Sequence, residues 1–233
     1  MKDRLIRAAI LALTVAFAAA PFLSKGFGGF YKESFPVQVD RWPAQPVGWA
    51  FAIWGPIYAA LIVTALRALL LRPEVTPGWR RAALPLGISL FLGTFWVETA
   101  MRAPLLATAL IVPMAALAIV AACRAGTDLR EAGALGFYAG WLTAAAGVAV
   151  SVVLTGYGVL GAGAAAVLLV LAVLAVALGV IEKARPVWTY PAGTIWALIG
   201  IVVANGQAGD APMTGLAGVG IGAVLIAALR KRT

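Results

Sequence analysis

The chain has 233 residues, of which 63% are hydrophobic and 12% charged, with a formal net charge of +9. A soluble domain is about half apolar and a quarter charged, so the composition excludes an ordinary globular protein and predicts an all-α, polytopic integral membrane protein. There is no histidine and one cysteine, Cys123. That excludes an intramolecular disulfide, a Ser–His or Cys–His catalytic pair, and a histidine-ligated metal centre from this chain alone.

A membrane span needs roughly 20 apolar residues. Eight such stretches are predicted, over residues 5–23, 46–71, 82–101, 103–123, 133–155, 158–181, 187–206 and 212–229. The first follows Lys2, Arg4 and Arg7 and ends near Ala18-Ala19-Ala20. It imitates a signal peptide and is read as the first transmembrane helix. The second opens on Pro46-Val47-Gly48-Trp49-Ala50-Phe51-Ala52-Ile53-Trp54-Gly55-Pro56-Ile57-Tyr58. Trp54 and Tyr58 are four apart and share a helical face. Pro56, which lacks a backbone donor, predicts a kink beside that face.

Arg102-Ala103-Pro104 and Thr155-Gly156-Tyr157-Gly158 read as tight turns between antiparallel spans. On the fifth span Phe137, Tyr138 and Trp141 share a face that Ala144, Ala145 and Val148 continue. Gly136/Gly140 and Gly218/Gly222 are small-residue pairs that allow close helix approach, inside the bundle or between two copies. The sixth span, nearly all Ala, Val, Leu and Gly, reads as scaffold.

Charge tests this count. With eight spans, 14 of the 18 basic residues fall on the side of both termini. They are Lys2, Arg4, Arg7, Arg67, Arg72, Arg80, Arg81, Arg124, Arg130, Lys183, Arg185, Arg230, Lys231 and Arg232. The opposite side has Lys25, Lys32, Arg41 and Arg102. The asymmetry predicts cytoplasmic termini. Helical spans predict a bacterial cytoplasmic (inner) membrane, because barrels dominate the outer one. The basic residues lie in short loops, which predicts no nucleic-acid partner; the bilayer is the expected surroundings. The loop 24–45 is then external and carries Phe27, Phe30, Tyr31, Phe35 and Trp42. It fits either a lid over a pocket or an interfacial aromatic belt.

Depth brings the aromatics together. At a 1.5 Å rise, Trp54 lies about 12 Å below the outer boundary and Trp141 about 12 Å above the inner one. In a core of roughly 30 Å they are within about one helical turn of each other. Trp96 falls in the outer half of span three. Trp54, Tyr58, Trp96, Tyr138 and Trp141 are thus expected to converge, as a ligand pocket or as plain aromatic packing. Glu98, four residues before Arg102, fits an ion pair along one helix; the other reading is a charge at the pocket mouth.

Three segments carry a family resemblance. Pro46-x-Gly48-Trp49-x-Phe51-x-Ile53-Trp54-Gly55-x-Ile57-Tyr58, Leu92-Gly93-Thr94-Phe95-Trp96 and Phe137-Tyr138-x-x-Trp141-x-Thr143-x-x-x-Gly147 resemble the second-, third- and fifth-helix signatures of the tryptophan-rich sensory protein / translocator protein (TspO/MBR) family, in its longer bacterial branch. The resemblance implies a five-helix core at 1–155 with the loop 24–45 as cover, and a three-helix extension at 156–233. It also implies a membrane-embedded binding or sensory protein, often a homodimer, whose pocket takes a tetrapyrrole or sterol-like ligand and holds no covalent cofactor. The ligand-binding candidates are Trp49, Phe51, Trp54, Tyr58, Phe95, Trp96, Phe137, Tyr138 and Trp141, with Glu98 as a possible mouth charge; no catalytic or metal-binding residue is assigned. Gly93 and Ala149 stand where the family usually has asparagines, which removes two polar anchors and puts the family's ligand in question. The alternatives are a carrier for a lipophilic metabolite, a structural subunit without a ligand, and, lowest, the porphyrin breakdown ascribed to some members.

Overall fold

The computed structural model describes residues 2–24, 29–70, 76–184 and 187–230. Expectations for Lys25, Phe27, Arg72, Arg185, Lys231 and Arg232 lie outside these residues. Among the described residues there are eight long helices: α1 (Lys2–Leu23), α2 (Trp54–Leu70), α3 (Pro77–Arg102), α4 (Pro104–Arg124), α5 (Leu129–Gly156), α6 (Ala162–Ala184), α7 (Thr189–Gln207) and α8 (Ala211–Arg230). Seven are long and apolar enough to cross a membrane; α7, with Thr189, Tyr190, Asn205 and Gln207 at its ends, is the exception. The chain is a polytopic all-α membrane protein.

The second stretch departs from its expected form. Gly48–Ile53 is a 3₁₀ helix, and the α-helix begins only at Trp54. Pro56 therefore sits in the first turn, where backbone donors have no intrahelical acceptor to lose. The predicted proline kink inside a continuous helix is replaced by a change of helix type at Trp54. The two tight turns are present: Ala103 alone separates α3 from α4, and α5 ends at Gly156.

Hydrophobicity does not drive helices together inside lipid, so close packing and hydrogen bonds must. The centre of the bundle is α5, which packs against α2, α4, α6 and α7. A β-carbon on Gly140 would lie 2.0 Å from the carbonyl oxygen of Tyr190, and one on Gly193 would lie 2.8 Å from the Trp141 nitrogen. The Gly136/Gly140 pair thus serves the internal α5–α7 contact. Gly218 and Gly222 have nothing within 4 Å of their β-carbon positions.

The helix ends meet in two groups. At one end Arg80 pairs with Asp3, the Arg7 Nη1 donates to the Ala68 carbonyl at 3.0 Å, and Thr76 donates to Glu131. At the other, the Val37 N–H donates to the Gly156 carbonyl at 2.9 Å, and Arg41 reaches the α7–α8 turn.

Candidate functional site

Five elements bring the aromatic side chains to one place. The Trp54 ring stacks on Tyr58 with centroids 5.4 Å apart, meets Trp141 edge-on at 6.1 Å and approaches Tyr138 at 6.4 Å. Phe51, from the 3₁₀ segment, meets Trp141 edge-on at 5.9 Å. Trp96 comes from α3 and Phe17 from α1. Phe17 touches Trp54, Tyr58 and Tyr138 at 5.7, 5.2 and 5.6 Å. These are the edge-to-face distances at which aromatic pairs attract.

Small voids remain beside Trp54. One, of about 30 Å³, is bounded by Phe51, Trp54, Trp96, Trp141, Ala149 of α5 and Ala197 of α7. Gly29, Phe30, Gln45 and Pro46, from the segment between α1 and α2, close it. The other, of about 160 Å³, shares Phe51, Trp54 and Trp96 and extends to Phe17, Tyr58 and Met114. Among the residues that line them, Tyr58 alone is ionisable.

Most polar atoms near this space are satisfied. The Trp96 Nε1 donates to the Ala107 carbonyl at 2.9 Å. The Tyr138 hydroxyl and Ser89 Oγ share a hydrogen at 2.9 Å. Two are not: the Trp141 Nε1 and the Gln45 Oε1 are buried without a partner. One is a donor and the other an acceptor, and both residues border the smaller void. Buried polar groups normally have partners, so this pair is where a bound molecule gains most.

The segment between α1 and α2 is built as a cover. Phe35 sits where a side chain on Gly156 would stand and meets Trp42 at 5.6 Å; Phe30 faces Trp96 at 6.5 Å. Gly29 has φ 128°, a left-handed conformation natural to glycine. The cover is held by α7: the Val47 N–H donates to the Gly200 carbonyl at 3.1 Å, and the Trp196 Nε1 donates to the Ala50 carbonyl at 2.8 Å. Arg41 reaches Asp210 at 2.8 Å and also donates to Asn205, whose Nδ2 donates to the Pro43 carbonyl at 2.8 Å. The hydrogen bond from Arg41 holds the Asp210 carboxyl below the usual carboxylate range, helped by the Met213 N–H.

Of the residues expected at a pocket, Phe51, Trp54, Tyr58, Trp96 and Trp141 line these voids, and Tyr138 packs behind Trp54. Three others line neither void. Trp49 turns away onto Trp196, at 5.5 Å. Phe95 points outward and meets Phe91 edge-on at 5.2 Å. Phe137 lines a separate groove between α2, α5 and α7. Helical spacing put them near the right turn but could not choose the face. Glu98 lines neither void and pairs with Arg102 along α3, with half its side chain exposed.

Phe17, Gln45 and Ala197 were missed. Gln45 had a signal, as a polar residue directly before the aromatic segment. Ala197 had none, and only the packing of α7 reveals it.

The model of the family described as TSPO-like protein matches residues 8–230. No curated protein and no solved structure matches the chain.

Proposed function

Because the chain belongs to the TSPO-like protein family, we propose that it is a membrane-embedded binding or sensory protein whose aromatic site takes a flat lipophilic ligand, a tetrapyrrole first, when the external loop lifts. The observation that carries this reading is the Trp141 Nε1, buried and unpartnered between Phe51 and Trp54 at the edge of a void. A ligand that offers an acceptor there and an aromatic face to Trp54 satisfies both. A donor on the same ligand answers the Gln45 oxygen.

Fit sets a condition. Voids of about 30 and 160 Å³ fall below the roughly 300–1,000 Å³ of most ligand pockets. A macrocycle therefore requires Phe30, Gln45 and Pro46 to move away. With no histidine in the chain, ring faces and the Trp141 N–H hold the ligand rather than an imidazole–metal bond. With Tyr58 as the single ionisable lining residue, the walls lack the paired acid and base of proton-transfer chemistry, which favours binding over catalysis. The basic residues orient both termini to the cytoplasm of a bacterial inner membrane, so the cover faces outward.

The test is quenching of tryptophan fluorescence by protoporphyrin in detergent. Saturable quenching in the parent, weakened about tenfold in Trp141→Phe by loss of one desolvated hydrogen bond, supports the site. Unchanged affinity in both Trp141→Phe and Trp54→Ala overturns it. Porphyrin flux into proteoliposomes, measured in parallel, separates a carrier from a binder.

A further inference from the structure

A second site lies at the opposite end of the bundle. A groove of about 590 Å³ runs between α2, α5 and α7. Its walls are apolar, with Ala60 and Val63 on α2, Ala134 and Phe137 on α5, and Ala192 on α7. Arg67, Arg130 and Trp188 stand at its end. This is the end that also bears Asp3, Arg80 and Glu131, where most basic residues gather. From Ala60 to Arg67, and from Phe137 to Arg130, is seven residues, so the groove reaches about 10 Å into the membrane.

Charge distinguishes this groove. No hydrogen bond or ion pair engages the guanidinium of Arg67 or Arg130 among the described residues. The acidic neighbours are used elsewhere: Asp128 caps α5 through the Arg130 N–H, and Glu131 is buried against Thr76. A comparable crevice between α1 and α3 also carries an arginine, Arg80, but Asp3 neutralises it. Thr189, which lines the α2–α5–α7 groove, keeps a buried hydroxyl without a partner. Half-exposed Trp188 has the amphipathic ring that favours the headgroup level.

The geometry points to a specific site for one anionic phospholipid of that leaflet, its phosphate on Arg67 and Arg130 and an acyl chain along Val63, Ala134 and Phe137. Two cations at the mouth of an apolar furrow complement the two ends of such a lipid and no part of a soluble anion's tail-less surface. The site stands on other helix faces than the aromatic cavity, so it holds or fails independently of it.

Native mass spectrometry of the detergent-purified protein tests this, with phosphatidylglycerol and phosphatidylcholine of identical chains titrated in turn. One phosphatidylglycerol is expected to be retained in preference to phosphatidylcholine. Arg67→Gln/Arg130→Gln is expected to weaken that retention about thirtyfold. Arg81→Gln/Arg124→Gln removes equal charge outside the groove and is expected to leave it unchanged. Gly133→Leu is expected to weaken both lipids by filling the furrow, since the Leu129 Cδ2, at 3.9 Å, is the one atom within 4 Å of that β-carbon position. Equal retention of the two lipids, or equal loss in both double variants, overturns the site. So does displacement by excess glycerol phosphate, which would mark a free-phosphate site. Should the first double variant not fold, full retention by Gly133→Leu overturns it alone.

Discussion

The ring of Phe17 fills the place of a side chain at position 93: a β-carbon on Gly93 would lie 2.5 Å from the Phe17 Cε2. An aromatic from α1 thus occupies the space that Gly93 leaves, and the same ring braces Trp54, Tyr58 and Tyr138. The polar anchor that the family resemblance leads one to seek on α3 is replaced by an apolar contact across helices.

Gly93→Ala should therefore destabilise the protein by about 1–3 kcal/mol through overpacking. Phe17→Ala should cost about 3–5 kcal/mol by leaving a cavity. The double variant should lose less than the sum, because the two side chains compete for one volume. Thermal unfolding followed by circular dichroism measures all three; strict additivity would show that Phe17 and Gly93 are uncoupled.

Two tryptophans should respond differently to loss of the indole N–H. Trp96→Phe removes a second donor from the buried Ala107 carbonyl, which keeps its α4 ladder bond, and should cost about 0.5–1.5 kcal/mol in hydrogen bonding besides the loss of ring volume. Trp141→Phe leaves a comparable gap but removes a donor that has no acceptor, so without ligand it should cost less than Trp96→Phe by about the hydrogen-bond contribution, while weakening porphyrin quenching. Melting temperatures that fall equally would contradict the hydrogen-bond assignment.

The cover should loosen in acid. Asp210 has a folded-state pKa below its ordinary value, chiefly through the hydrogen bond from Arg41. Its contribution is therefore complete above the ordinary aspartate range and is lost as pH falls through the depressed folded value. Proteolytic cleavage between Tyr31 and Val47 should accelerate in that acidic window with an acid-tolerant protease. Asp210→Asn should cleave faster already at neutral pH and lose this pH step. High salt should act in the same direction, since the pair is partly exposed.

The two glycine pairs should behave differently. Gly140→Ala drives a methyl into the Tyr190 backbone and should cost about 3 kcal/mol or prevent folding. Gly222→Ala meets open space and should be neutral or slightly stabilising, because alanine favours a helix by roughly 1 kcal/mol over glycine. Expression level and melting temperature in one detergent compare them directly.

Glu98→Gln should shift stability by less than about 0.5 kcal/mol, since exposed ion pairs contribute little, and should leave porphyrin quenching unchanged. A large loss of binding would return Glu98 to the site.

What the residues determined alone was the element count, the turns at Ala103 and Gly156, and the convergence of Trp54 and Trp141. Those depend on hydrophobic run length, on proline and glycine, and on a constant rise per residue, all of which are local. Packing decided the rest. Phe95 sits directly beside Trp96 in sequence, yet a rotation of one residue, about 100° on an α-helix, carries its ring from the cavity to the outside. The 3₁₀ segment Gly48–Ile53 is held by contacts that α7 supplies from some 150 residues away, at Trp196 and Gly200. The 155/156 boundary lies in the last turn of α5, and α7, beyond it, packs back to brace the cover and wall the cavity with Ala197. Such partners are chosen by which small residues let two backbones meet, and that is a property of helix pairs rather than of either sequence.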